Sequence, residues 1–251
     1  MNYYFNLLRE FTKTDFKLRY QGSVLGIFWA FLRPLLMFSV LYLVFSKFAR
    51  FDIAHYPLYL LLGIILWNFF VEGTTSSISS LIGKAGLIKI INFPRSAIIV
   101  SSTFVAFFNF FLNFIIFVAF LFFSGETLPP GTFLLLIPVF SLYCLSLGMG
   151  FLLVALYARF KDIAHIWELL LQVGFWFTPI IYSIDMVPTR YHIFVFANPM
   201  AHIINSARDI IISGRVLTIS EAALLLGIST PILIFGYLIF KRQEPYFAEE
   251  L

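Results

Sequence analysis

Charge is scarce in this chain. Asp, Glu, Lys and Arg make up 12% of its 251 residues, against about 25% in ordinary soluble domains, and that shortage excludes a water-soluble fold. Cysteine is nearly absent too. Cys144 stands alone inside an apolar block, so no intrachain disulfide can form and the redox compartment cannot be read from it. The chain also lacks a phosphate-cradling GxxxxGK loop with a following Ser or Thr: Gly83-Lys84 is followed by Ala85, and Ile78 occupies the position of the first glycine. ATP therefore has no such cradle here. The first twenty residues alternate charged and apolar groups, so no cleavable signal peptide is expected.

Catalytic constellations are missing as well. His55, His165, His192 and His202 have no His or Cys at metal-ligand spacing. Gly22-Ser23-Val24-Leu25-Gly26 puts serine at the wrong position for a nucleophile elbow. An intramembrane enzyme acting on polyprenyl lipids would need clustered carboxylates or a nucleophile–base pair. An ion-coupled secondary transporter could use Glu72 or Glu168, but no inverted repeat with matched broken helices supports that class.

What is present is apolar: 61% of residues are hydrophobic and 20% aromatic. Six blocks are long enough to cross a hydrocarbon layer of about 30 Å, which takes about 20 helical residues each. They lie near Trp29–Phe48, Tyr56–Ser77, Ala97–Phe123, Thr132–Tyr157, Ile163–Tyr182 and Glu221–Phe240. Runs such as Phe107-Phe108-Asn109-Phe110-Phe111-Leu112 lack the alternation of a transmembrane barrel strand. The expected fold is all-α and integral to the membrane: six transmembrane helices, an N-terminal amphipathic interface helix, and external helices between spans five and six.

Lys and Arg set the expected orientation. With the N-terminus inside, twelve fall on the cytoplasmic side, including Arg9, Lys13, Lys17, Arg19, Arg33, Lys84, Lys89 and Arg95. Five (Lys47, Arg50, Arg190, Arg208 and Arg215) fall outside. Both termini are expected in the cytoplasm. The pI of 9.2 then reflects topology and lipid headgroups, and no nucleic-acid partner is needed to explain it.

Three non-spanning segments stand out. In residues 1–24, Tyr4, Leu7, Leu8, Phe11 and Leu18 recur at helical spacing opposite Asn6, Arg9, Glu10, Lys13 and Lys17, which predicts an amphipathic helix in the cytoplasmic interface, either a plain anchor or a docking element. Residues 79–95 form a basic amphiphilic loop stopped by Pro94, read either as a short helix or as a solvated loop whose lysines fix topology. Residues 183–220 are too long for a simple connection. There Asn198-Pro199 starts a helix over Met200–Ile212 and Gly214 ends it, with Asn205, Arg208 and Asp209 on the polar side and a second apolar piece at Tyr191–Phe196.

Polar residues inside spans must face protein, water or the interface, because a mid-bilayer carboxylate costs at least about 2.5–3.5 kcal/mol. Glu72 and Glu168 could pair with Arg33, Arg159 or Lys161, and Asn109 and Asn113, at i and i+4, suit interhelical hydrogen bonds.

The stretch Asp15-Phe16-Lys17-Leu18-Arg19-Tyr20-Gln21-Gly22-Ser23-Val24-Leu25-Gly26, with Trp29 and Arg33-Pro34-Leu35-Leu36, resembles the opening segment of polysaccharide-exporting ATP-binding-cassette permeases, a family of O-antigen, capsule and teichoic acid exporters. Gly63 to Trp67, Asn92-Phe93-Pro94-Arg95, Arg159-Phe160-Lys161-Asp162-Ile163, Thr178-Pro179-Ile180-Ile181-Tyr182, Val187-Pro188 and Asn198-Pro199 continue the resemblance in order along nearly the whole chain. It implies a single transmembrane domain over residues 1–251 in a bacterial inner membrane, forming a homodimer with two copies of a cytoplasmic ATPase. The permease itself is not an enzyme: ATP and Mg would be bound by the ATPase, and the cargo would be a lipid-linked polysaccharide, O-antigen type foremost. It further implies a coupling helix over Ser80–Ile91, with Lys84, Leu87, Lys89, Asn92, Phe93, Pro94 and Arg95 meeting the ATPase. Ser183–Gly214 would be external gate helices. Spans one and five would line the channel, where Trp29, Phe31, Phe175, Trp176, Phe177 and Tyr182 could stack on sugars or simply pack.

Overall fold

Apolar runs punctuated by proline and glycine build ten α-helices among the residues that the computed structural model describes, which are 2–22, 24–48 and 53–247. They are α1 (Asn2–Tyr20), α2 (Phe28–Tyr42, continued by a π-helical turn Leu43–Phe48), α3 (Tyr56–Gly83), α4 (Ala85–Ile90), α5 (Ser96–Phe123), α6 (Leu136–Arg159, led by a 3-10 turn Pro130–Leu135), α7 (Ile163–Phe177), α8 (His192–Phe196), α9 (Pro199–Ile211) and α10 (Ile219–Gln243). No strand occurs among the described residues. The expected all-α membrane architecture is the one observed.

Local chemistry sets the boundaries. Pro57 sits in the first turn of α3, where its missing N–H costs nothing. Thr218 and Glu221 form a reciprocal capping box that starts α10. The Asn198 side chain accepts from the Met200 N–H at 3.0 Å and caps α9, whose first residue is Pro199.

Among the described residues, five helical segments are long and apolar enough to cross a membrane: Phe28–Ser46, Tyr56–Gly83, Ser96–Phe123, Pro130–Arg159 and Ile219–Tyr246. The fifth expected span, Ile163–Tyr182, is shorter than the sequence predicts. Helix α7 has 15 residues, about 22 Å at about 1.5 Å per residue. Pro179 is the cause, because it biases Thr178 to an extended conformation (φ −91°, ψ 134°) and stops the helix. Tyr182 therefore lies beyond the helix.

Between lipid-immersed helices, close packing of small residues replaces the hydrophobic drive. Gly148 on α6 meets Gly236 on α10 backbone to backbone: a Cβ on Gly236 would fall well inside contact with the Gly148 carbonyl oxygen, and one on Gly148 would lie 2.6 Å from Leu233 Cα. On the other side of α6, Gly150 faces Ser77 of α3, and Gly73 of α3 faces Ser146. Helix α3 is the central strut, buried on nearly all sides in the larger core with Phe110 and Phe117 of α5 and Ile204 and Ile210 of α9. A second core closes the end that carries α1 and α4, built from Phe11, Leu81, Ile88, Phe93, Phe151, Phe240 and Phe247. Helices α2 and α7 keep wide apolar faces open, among them Leu36, Met37, Val40, Leu169, Leu170 and Val173.

Candidate functional site

The segment 79–95 divides at Lys84. Residues Ser79–Gly83 complete α3, and α4 is a separate short helix, so the single helix expected over Ser80–Ile91 is corrected. The break has a local cause: the Lys84 N–H is shared between the Ser80 and Leu81 carbonyls, at 3.2 Å each, and its backbone leaves helical geometry (φ −107°, ψ 10°). The tip that follows is exposed. Lys89, Ile90, Ile91 and Asn92 face outward, Ile90 with 83% of its surface open.

The remaining expected coupling residues serve to hold that tip. Lys84 pairs with Asp15 of α1 and lies over the Phe11 ring, 5.2 Å from its centroid. Asp15 also accepts from Ser80 and Ser101 hydroxyls at 3.4 and 3.3 Å. Phe93 is buried edge-on against Phe11, with ring centroids 5.5 Å apart. Leu87 packs part-buried on the same core, and Pro94 is half-buried. Arg95 turns to the other end of the chain: its N–H donates to the Glu244 carboxylate at 3.0 Å and its guanidinium to the Glu244 carbonyl. Phe247, fully buried against Phe240, completes this anchor.

Helix α1 folds as expected, with Tyr4, Leu7, Leu8 and Phe11 packed on the second core. Leu18, placed with them by periodicity, is instead exposed. Asp15 takes the inward direction, one turn after Phe11, and that spacing was the available signal for it.

The channel-lining candidates separate into two groups. Trp29 on α2, and Trp176 and Phe177 at the end of α7, are exposed, the last two by 58% and 62%; Phe31 is half-buried beside Phe28. Phe175 is buried against Trp67, so it packs rather than lines an open path. Tyr182 is also structural: its hydroxyl donates to the Trp176 carbonyl and its own carbonyl accepts from Tyr59, both at 3.0 Å.

At the end opposite α4, α8 and α9 occupy the segment 183–220. The expected polar side of α9 is wrong at one position. Arg208 is only 3% exposed. It donates to the Tyr59 carbonyl twice, at 3.1 and 2.9 Å, to Pro179 at 2.6 Å and to Ile180 at 2.7 Å. Its guanidinium also lies over the Tyr59 ring, 3.4 Å from the centroid. Burial pushes its pKa down to about 10, which leaves it cationic at neutral pH. Space for it exists because position 63 is glycine: a Cβ there would collide with the Arg208 guanidinium. Arg208 thus ties α9 to the start of α3 and to the break after α7. Its i+4 spacing from Ile204, inside the apolar stripe, was the sequence signal for burial.

A polar cavity of about 520 Å³ lies between α1, α2, α3 and α5. Glu72 in its wall accepts from Arg19 and from Asn109, whose side-chain oxygen accepts from Tyr20 at 2.9 Å. Burial raises the pKa of Tyr20, keeping it a donor. Asn113 donates to the Ala30 carbonyl of α2 at 3.1 Å. The interhelical use expected for both asparagines is observed. Glu72 pairs with Arg19 rather than with any of the three expected cations, although Arg33 lines the same cavity. Glu168 is exposed on α7.

Comparison with known proteins adds to this geometry. Residues 6–212 match the family model described as ABC-2 type transporter. The whole chain is similar, at 32% identity and over 97% of the relative's length, to the O-antigen export system permease protein RfbA of Klebsiella pneumoniae. It is 26% identical to the protein of that name from Myxococcus xanthus, covering 99% of this chain and 96% of the relative. Across 92% of this chain it is 23% identical to 90% of the polysialic acid transport protein KpsM of Escherichia coli. With a family model covering most of its length and relatives matched nearly end to end, the chain belongs to the ABC-2 type transporter family.

Proposed function

We propose that this chain is the membrane permease of an ATP-driven exporter that moves a lipid-linked polysaccharide, of O-antigen type, across a bacterial inner membrane. The observation that carries this reading is the exposed knuckle Lys89–Asn92, held rigidly by α1, Phe93 and the Arg95–Glu244 anchor at one end of a bundle whose full length is similar to export permeases. A protruding basic and apolar tip on a stiff base suits force transfer from a separate ATPase, and the chain has no phosphate loop of its own. The excess of Lys and Arg at that end supports a cytoplasmic position for it and for both termini. A second copy would cover the open faces of α2 and α7, so that Trp29, Phe31, Trp176 and Phe177 face a path shared by two protomers. Helices α8 and α9 then form its external gate, and two ATPase copies, each holding ATP and Mg, drive the cycle by a two-state rocking of helices. Capsule export is the second reading, resting on similarity to KpsM.

The test is co-purification from the native host followed by export. A tagged chain should retain an ATPase, and Lys89→Glu with Ile90→Asp should abolish ATP-dependent export while the two permease copies stay assembled. Normal export by that double variant, or a tagged chain that never retains an ATPase, would refute the coupling assignment.

A further inference from the structure

A second cavity, of about 560 Å³, opens between α1, α5, α6 and α10 and shares no residue with the one around Glu72. Its volume falls in the range of ligand pockets, about 300–1,000 Å³. Its lining is graded by depth. The start of α5 and the end of α10 meet at this end of the bundle, where the Glu244 carboxylate accepts from the Arg95 N–H at 3.0 Å. Tyr4, Ser96 and Lys241 therefore lie at the mouth, while Val100 lies one turn deeper and Leu233 and Ile234 two turns deeper. Tyr237 stands between the two levels, its ring edge-on to Phe151 with centroids 5.4 Å apart and beneath Lys241 Nζ at 6.0 Å. From Lys241 to Leu233 the wall descends about 12 Å, at about 1.5 Å per residue. Ile234, Tyr237 and Leu238 are exposed beside it, so the cavity opens sideways toward lipid.

The mouth carries polar groups that the fold leaves available. Among the described residues the Tyr237 hydroxyl makes no hydrogen bond, and the Tyr4 and Ser96 hydroxyls meet only each other, in a long contact of 3.4 Å. Lys241 gives one of its three donors to Glu244, at 2.7 Å. That carboxylate is shared, because Arg95 donates its N–H to the other oxygen and its guanidinium to the Glu244 carbonyl. Two cations thus stand against one carboxylate, which leaves the mouth net positive. A polar, positive rim above an apolar floor, at the level of an interfacial helix, matches a glycerophospholipid with its phosphate at the rim and its chain below. The positive rim favours an anionic headgroup over a zwitterionic one, whose ammonium would face Lys241 and Arg95. We propose that this cavity binds one anionic glycerophospholipid from the leaflet at the α1 end, its phosphate on Lys241 and the Tyr4 and Tyr237 hydroxyls, its upper acyl chain against Val100, Phe151, Leu233 and Ile234. Pro94 forms part of the wall, so the bound lipid braces the base of the Lys89–Asn92 knuckle and joins α1 to α10.

Native mass spectrometry of the purified chain, titrated with phosphatidylglycerol and separately with phosphatidylethanolamine, tests this. One phosphatidylglycerol per chain should be retained, several-fold more tightly than phosphatidylethanolamine. Lys241→Gln should weaken phosphatidylglycerol binding about fivefold, and Lys241→Arg should restore it. Tyr237→Phe, which keeps the ring and its packing, should weaken it about threefold. Val100→Trp fills the apolar floor with every charge in place and should abolish binding. Lys17→Gln, on the exposed side of α1, removes the same charge away from the cavity and should have no effect. Equal affinity for the two lipids, equal loss in Lys17→Gln and Lys241→Gln, or unchanged binding in both Tyr237→Phe and Val100→Trp overturns the proposal. Displacement of phosphatidylglycerol by polyprenyl diphosphate, with the same dependence on Lys241, assigns the cavity to a carrier lipid and overturns it as well. Each measurement is made on the chain alone, so failure to retain an ATPase sinks the export reading and leaves the lipid site standing.

Discussion

Replacing Arg208 with Met should be among the most damaging single changes outside the helix–helix glycine contacts. The substitution preserves much of the side chain's volume but removes four hydrogen bonds to three buried carbonyls, those of Tyr59, Pro179 and Ile180. A hydrogen bond from a charged group contributes about 1.5–3 kcal/mol, but such contributions do not add when they share one donor group. Leaving a buried carbonyl without its donor costs about 1–3 kcal/mol, and with the Pro179 and Ile180 carbonyls both stripped we expect a loss of about 3–5 kcal/mol. Equilibrium unfolding in mixed micelles, followed by tryptophan fluorescence, would measure it. Arg208→Lys should recover less than half, because an ammonium cannot reach three carbonyls as a planar fork does. Gly63→Ala attacks the same contact from α3, where the new methyl would displace the guanidinium. Its loss should largely vanish in the Arg208→Met background. The loss in Arg208→Met should also be constant from about pH 6 to about pH 9, because the arginine gives up its proton only as pH rises through about 10. An Arg208→Met protein within about 0.5 kcal/mol of the wild type, the usual reach of a surface change, would refute the latch, as would full additivity with Gly63→Ala.

Two further outcomes are expected. Gly236→Ala should reduce the folded yield in membranes severely, since its methyl has only the Gly148 backbone to push against; Gly227→Ala, with open space around it, is the control, and quantitative immunoblotting of membrane fractions reads both. Asp15→Lys should free α1 by setting two cations together, giving several-fold faster tryptic cleavage after Lys13 or Lys17, and adding Lys84→Asp should reverse it.

Hydropathy made the spans legible because each must satisfy its backbone internally and present apolar side chains to lipid. The caps at Asn198 and Thr218 and the amphipathic face of α1 follow from local chemistry in the same way. What escaped was decided by partners distant in sequence. Arg208 reads as a polar-side residue by its charge; its spacing from Ile204 points inward, but its acceptors are backbone carbonyls, which every residue carries and no sequence pattern marks. Lys84, Phe93 and Arg95 belong to a basic amphiphilic loop, and only the positions of Asp15, Phe11 and Glu244 reveal that they point inward. The early end of α7 was visible in Pro179, yet an apolar run past it concealed the stop. The polar cavity draws on four helices, so no single stretch of sequence outlines it.

The backbone contact between Gly148 and Gly236 divides the molecule mechanically. Two helices touching main chain to main chain cannot slide or roll without a clash, so α6 and α10 behave as one plank, and the interlocked Gly150–Ser77 and Gly73–Ser146 pairs fasten α3 to it. Together these three helices form a stator. Helices α2 and α7, open on wide apolar faces and flanked by the π-helical turn and the Pro179 break, are the elements left free to turn. On the export reading, a stroke delivered at the Lys89–Asn92 knuckle would emerge as rotation of these outer helices, against each other across the two protomers, about a fixed interior.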